Sequence, residues 1–216
     1  MESGKYYGRS LVRSILAGMM IGIGGCVFIG CSLPKYGVPW VGAILFAVGL
    51  CTIFIFGFDL YTGKVGYAVN KKADYIPYLL IVILGNFIGA MILGFIAPTN
   101  LAEFSATLFS GKLTDVDYLQ VFFKGILCGI LMFIAADYYK NEKKFLGALI
   151  CVPTFILAGF EHSIADMFYF WAGFFGAADA FSFTDGLIFL VIVILGNAVG
   201  GILIPFCQKF MYEKND

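Results

Sequence analysis

The 216-residue chain alternates between long apolar runs and short charged clusters. Stretches free of Asp, Glu, Lys and Arg cover 14–34, 36–58, 75–102, 125–136, 145–160 and 186–208. A helix rising about 1.5 Å per residue needs roughly 20 apolar residues to cross a hydrocarbon layer of about 30 Å. Most of these stretches are long enough as they stand. The fourth becomes long enough when residues 119–124 are added at its start, and the fifth is short. The pattern predicts an all-α membrane protein with six transmembrane helices, in a single domain over residues 1–216. Lys5, Arg9 and Arg13 precede the first run. That run is full length and no small-residue cleavage site follows a short apolar stretch, so it reads as a retained helix and not as a signal peptide.

The pattern also repeats. The segment VILGNFIG at 82–89 returns as VILGNAVG at 193–200, which is 111 residues later. Arg13 with Gly18, and Lys124 with Gly129, keep the same offset. Gly57-Phe58-Asp59 and Gly159-Phe160-Glu161 lie 102 apart. Two halves, about 1–111 and 112–216, therefore hold three spans each. Three is odd, so the second copy enters the membrane from the opposite side, which makes an inverted 3+3 repeat. In the Gly-Asn motifs the small residues allow helices to approach closely. Asn86 and Asn197 are expected to bond across helices or to cap interrupted segments.

Two apolar segments are interrupted at matching places. The second meets Asp59-Leu60-Tyr61-Thr62-Gly63-Lys64, and the fifth meets Glu161-His162-Ser163-Ile164-Ala165-Asp166. Irregular backbone at membrane depth survives only where it is buried in protein or lines a cavity. Paired broken helices 2 and 5 therefore point to a pathway across the membrane, an aquaporin-like architecture. His162 is the single histidine of the chain. Neutral imidazole donates a hydrogen bond to an anion, imidazolium holds one by charge, and the ring exchanges protons near neutral pH. Asp59 and Glu161 would repel an anion, so each is expected to accept backbone hydrogen bonds at its own interruption.

Composition supports the bilayer as solvent, since 61% of residues are hydrophobic and only 13% are charged. Cations sort by loop. Lys5, Arg9, Arg13, Lys64, Lys71, Lys72, Lys140, Lys143, Lys144, Lys209 and Lys214 fall on one side, against Lys35, Lys112 and the span-end Lys124 on the other. The excess of Lys and Arg puts both termini in the cytoplasm, with a multi-pass chain in the cytoplasmic membrane. The net charge of zero gives no reason to expect nucleic acid as a partner. The six cysteines all lie within predicted spans and none forms a CxxC pair, so they read as packing residues and not as metal ligands.

These motifs resemble the formate/nitrite transporter family along nearly the whole chain. The likeness rests on GFEHSIA at 159–165 followed by Met167-Phe168, on DLYTG at 59–63, on RSILAG at 13–18, on GILC at 125–128 and on both Gly-Asn motifs. The resemblance implies homopentamers with one pore per subunit and cytoplasmic termini. It implies that small monovalent anions and protons pass, with no enzymatic reaction and no cofactor or metal. Carried over, His162 is the central pore histidine and Thr62 faces it from the other interruption. Leu50, Leu60 and Phe155 resemble a cytoplasmic slit, Phe46, Tyr61 and Met132 an outer one, and Lys112 an outer vestibule lysine. Lysines at the two mouths would concentrate anions. The chain departs from the pattern at Gly129 and Asp166, where Asn is usual, at Tyr61, where Phe is common, and at Lys64, where an uncharged polar residue is usual. A neutral-solute pore of the aquaporin type would need paired Asn-Pro-Ala loops, which neither interruption has. A membrane redox subunit would need clustered histidines, and one cannot supply them.

Overall fold

The computed structural model describes residues 2–212, so Lys214 of the cation count lies outside the described residues. Helices follow in the order α1 Glu2–Ser32, α2 Pro39–Leu45, α3 Ala47–Phe56, α4 Tyr61–Lys64, α5 Tyr75–Ile96, α6 Thr99–Leu113, α7 Tyr118–Glu142, α8 Leu146–Leu157, α9 Ser163–Gly176 and α10 Phe183–Tyr212. Short 3-10 turns occupy Val65–Asn70 and Ala178–Ala180. Among the described residues, five helical stretches are long and apolar enough to cross a membrane: Lys5–Ser32, Pro39–Phe56, Tyr75–Ile96, Tyr118–Glu142 and Phe183–Met211. The sequence pattern anticipates six. The difference lies in the short fifth run. There α8 is 12 residues long, about 18 Å at 1.5 Å per residue, and the chain re-enters helix only at Ser163. The third apolar run is also divided. Ala97 precedes Pro98 and takes an extended conformation, ψ 141°, because the proline ring disfavours helix there. The chain then turns into α6, which the sequence pattern does not anticipate.

Both interruptions are built alike. Helix α3 ends at Gly57 (φ +66°) and the α8 segment closes at Gly159 (φ +69°), left-handed positions that glycine occupies without a Cβ penalty. Phe58 N–H then bonds back to Ile53 O at 3.0 Å, and Phe160 N–H to Phe155 O at 2.9 Å. Each extended segment is tied by one asparagine. On α5, Asn86 Oδ1 accepts from Tyr61 N–H at 2.9 Å, and its Nδ2 donates to Asp59 O at 2.9 Å and to Ser14 O at 2.8 Å. On α10, Asn197 Oδ1 accepts from Ser163 N–H at 2.9 Å, and its Nδ2 donates to Glu161 O at 2.9 Å and to Gly125 O at 2.8 Å. One buried amide thus fastens an interruption to a flanking helix on each side.

Those amides reach their targets because the helices nearly touch. Helix α1 packs along α5, and α7 packs along α10. A Cβ on Gly89 would collide with the Ile15 carbonyl of α1, and one on Gly200 with the Ile126 carbonyl of α7. At Gly30 of α1 a Cβ would meet open space. Gly89→Ala and Gly200→Ala should therefore each cost about 1–3 kcal/mol, seen as a lower apparent Tm in detergent, while Gly30→Ala leaves Tm unchanged. Asn86→Ala and Asn197→Ala strip a buried N–H and a buried carbonyl at the interruption of their partner and remove a further bond to a helix carbonyl. At about 1–3 kcal/mol per orphaned group, each should lower the apparent Tm more than either glycine variant.

Candidate functional site

The two interruptions meet at a single hydrogen bond. Thr62, in the first turn of α4, has its Oγ1 2.9 Å from Nε2 of His162. Both are buried, at 0% and 2% exposure. His162 is the N-cap of α9, with φ −107° and ψ 108°, and its Nδ1 accepts from the Ala165 N–H at 3.1 Å. An accepting Nδ1 carries no proton. The neutral ring therefore bears its proton on Nε2 and donates it to Thr62 Oγ1. The Thr62 hydroxyl proton is then free for another acceptor. His162 also sits at the positive end of the α9 dipole, which favours negative charge beside it. The imidazole stacks on Phe155 at 5.3 Å and 20°. Phe155 in turn meets Phe46 edge-on at 6.1 Å and 85°.

Cavities lie on either side of this pair. One of about 500 Å³ is lined by Lys112, Lys124, Phe155, Glu161, His162 and Asp166, with Asp115 and Asp117 at its wall. The other, of about 280 Å³, is lined by Leu60, Gly63, Lys64, Tyr67, Lys140 and Lys143. Phe155 therefore lines the Lys112 cavity, and Phe46, which it meets edge-on, lines neither cavity. The segment from Phe155 to His162 faces one cavity and Leu60 faces the other. Leu50, Tyr61 and Met132 are buried and line neither cavity. The Tyr61 hydroxyl bonds to Ile194 O at 3.3 Å, a use for the oxygen that a phenylalanine there would lack.

The acids at the interruptions take cations and not backbone. Asp59 accepts from Ser10 Oγ at 3.1 Å and pairs with Arg13 Nε at 3.2 Å and Lys64 Nζ at 3.2 Å. Glu161 pairs with Lys112, whose Nζ also lies 3.2 Å from Asp166 Oδ1. The expected backbone bonds to these two carboxylates go instead to the amides of Asn86 and Asn197, which offer donor and acceptor together. A neutral amide can satisfy both N–H and C=O, and a carboxylate cannot. The expectation of a lysine-rich mouth on both sides is also revised. The Lys64 cavity is lined by three lysines and no acid. The Lys112 cavity carries four acids against two lysines, and Lys112 is already clasped by two of them.

Sequence reasoning missed Ser10 as a partner of Asp59, and it missed the clasp between Asp166 and Lys112. The available signal was the cost of an acid at membrane depth, which calls for a cation within reach. No spacing rule connects Lys112 to Glu161 or Asp166, because α6 is what carries it there. Among the described residues, no group of three or more His, Cys, Asp or Glu side chains is arranged to hold a metal ion.

Comparison with known proteins agrees with this architecture. A family profile described as formate/nitrite transporter matches residues 3–211. The nitrite transporter NirC of Salmonella typhimurium is 28% identical over 213 residues, covering 89% of this chain and 78% of that protein. The formate channel FocA of Haemophilus influenzae is 25% identical over 250 residues, covering 95% and 87%. A solved structure described as an FNT family ion channel superposes with a TM-score of 0.83 at 25% identity, covering 97% of this chain and 92% of that one. A pentameric formate channel with formate bound shares the fold with a TM-score of 0.80 at 23% identity, covering 97% and 99%. With a profile match over almost its entire length, the chain is an integral membrane transport protein, not an enzyme, and belongs to the formate/nitrite transporter family.

Proposed function

We propose that the chain passes a small monovalent anion (formate, nitrite or hydrosulfide) across the cytoplasmic membrane, through a pore centred on Thr62 and His162. The observation that carries this reading is the 2.9 Å bond between the two interruptions, with a cavity on each side. The family membership and the formate and nitrite names of its relatives support the anion class.

The architecture proposed for that pore is six spans in two inverted halves, with α3 and α4 forming one broken span and α8 and α9 the other. Support comes from the matched asparagine bonds at a 111-residue offset. The Lys and Arg distribution supports a cytoplasmic side for the termini and for the Lys64, Lys140 and Lys143 mouth. The pentameric assembly of a structural neighbour makes a homopentamer with one pore per subunit the reading for this chain. Apolar side chains exposed on the single subunit, such as Phe56, Leu80, Phe95 and Phe206, suit lipid and neighbouring subunits.

The physical problem is the constriction. Phe46, Phe155, Leu50, Leu60 and Met132 offer an anion no hydrogen bonds, and a bare charge in such surroundings costs several kcal/mol or more. The three cytoplasmic lysines raise the local anion concentration at their mouth. At the centre, the free Thr62 hydroxyl proton and the α9 dipole offer the anion its only polar contacts among these side chains. A proton delivered at or near His162 converts the anion into its neutral acid, which crosses the apolar slit without the charge penalty. Asp59, Glu161, Asn86 and Asn197 support the loops and do not touch the solute. Lys112 steers charge on the far side.

Purified protein in liposomes, assayed for uptake of each anion in turn, tests this. His162→Asn removes the ring that Thr62 and Phe155 hold. Its protein-dependent uptake should fall by about tenfold, the scale of losing a hydrogen bond to a charged group, and its response to pH should change. Uptake and pH response equal to the wild type would refute a central role for His162. A second prediction concerns the slit. Phe155→Ala should raise uptake and weaken discrimination against larger carboxylates such as lactate, read from competition with unlabelled acids.

A further inference from the structure

The two interruptions carry opposite formal charge. At the first, Asp59 faces two cations, Arg13 and Lys64. At the second, one cation, Lys112, faces two acids, Glu161 and Asp166. Lys64 and Asp166 occupy positions 102 apart, the same offset that relates Asp59 to Glu161. The acids are buried in both clusters, but the cation of the second is the less exposed: the Lys112 side chain is 21% exposed, against 43% for Arg13 and 35% for Lys64. With both acids ionised, the second cluster would leave one uncompensated negative charge away from water, which is unfavourable without a proton or a second cation.

The hydrogen bonds show where a proton belongs. Glu161 takes the direct bond from Lys112 Nζ, and Asp166 Oδ1 lies 3.2 Å from the same nitrogen. Asp166 Oδ2 is buried and has no hydrogen-bond partner at all. One turn back on the same helix, Ser163 Oγ is buried and unpartnered as well. An ionised oxygen in that position would lack any donor, while a protonated one is neutral. Asp166 also lines the 500 Å³ cavity together with His162.

We infer that the Lys112–Glu161–Asp166 cluster holds one exchangeable proton on Asp166 Oδ2, and that this carboxylic acid is the donor that neutralises the anion beside His162. The step balances as Asp166–COOH plus A⁻ giving Asp166–COO⁻ plus HA. The neutral acid crosses between Phe46 and Phe155, releases its proton on the far side, and Asp166 regains a proton from the Lys112 cavity. One proton moves with each anion. Lys112 of α6 and Glu161 balance each other, so Asp166 alone sets the number of protons the cluster binds. Other titratable groups around it are His162, Cys128 of α7, Tyr169 of α9 itself and, beside Tyr169, Cys26 of α1. Asp115, Asp117 and Lys124 face it across the cavity. Of the remaining elements packed on α9, α5 carries no charged residue. Helix α10 has Asp185 and Lys209 near its ends, α4 has Lys64, and the turn after α9 has Asp179.

This inference rests on the proposed anion pathway, and one set of measurements separates the two. Liposomes containing the wild-type protein are assayed for formate and nitrite uptake across a pH series, with protein-free liposomes subtracted. The same protein is examined by infrared difference spectroscopy for a protonated-carboxyl C=O stretch. Wild-type uptake should rise as pH falls, by up to about tenfold per unit. In Asp166→Asn the acid-side rise should disappear while some uptake remains. The carboxyl band should be present at neutral pH in the wild type, persist in Glu161→Gln and vanish in Asp166→Asn. Absence of protein-dependent uptake in the wild type at every pH overturns the pathway itself. Normal uptake with an unchanged pH profile in Asp166→Asn overturns the proton site and leaves the pathway standing. If Asp166→Asn does not fold, the wild-type band decides. Its titration in step with uptake supports the site, and its absence at neutral pH overturns it.

Discussion

A chain that leaves helical geometry inside an apolar protein must satisfy every backbone N–H and C=O it exposes, because no water is there to do so. Everything at the centre of this molecule depends on how two asparagines meet that demand. Asn86 and Asn197 each spend both ends of a side-chain amide on one extended segment, and the spare Nδ2 hydrogen bonds a neighbouring helix. That arrangement also explains the glycines around each asparagine. The amide of Asn86 reaches the Ser14 carbonyl only because α1 and α5 cross at Gly18, Gly85 and Gly89, where no Cβ would fit. Thr62 and His162 come within hydrogen-bond distance as a consequence, each sitting next to a backbone that an asparagine has immobilised.

That dependence accounts for what could be read in the sequence. The asparagines, their flanking glycines and the two interruptions stand out because spacing within a helix and a repeat offset are one-dimensional patterns. His162 stands out as the one histidine of an apolar chain. Pairings that depend on how separate elements turn in space were not legible. Helix α6 follows from Pro98 and carries Lys112 back over the interruption. The clasp between Lys112, Glu161 and Asp166 then joins residues 49 and more positions apart. The resemblance groups Phe155 with Leu60, and in the structure the two line different cavities.

The repeat is most informative where it fails. At the 102-residue offset, Leu60 stands where the second half has His162, Thr62 where it has Ile164, and Lys64 where it has Asp166. Backbone positions are kept and side-chain chemistry is not. Each interruption is tied by an asparagine from its own half of the chain. The Thr62–His162 bond draws one member from each half, so the polar centre exists only when the two halves are packed together.

The charge difference between the interruptions follows from the same divergence and bears on direction. At one mouth the charged lining residues are all lysines, which attract a solute in its anionic form. The other mouth has an acid excess, which repels the charged form and favours the neutral acid. On the proposed pathway the anion meets Asp166 in the Lys112 cavity, takes its proton there and crosses as the neutral acid, and the lysines of the other mouth favour the anion that forms when the proton leaves. The reverse passage requires the proton to be lost at the centre. Two mouths of equal charge would treat both directions alike. The scaffold repeats itself and the electrostatics do not, so on the proposed proton-coupled pathway the pH on the two sides of the membrane, and not the shape of the pore, sets the direction of net flux.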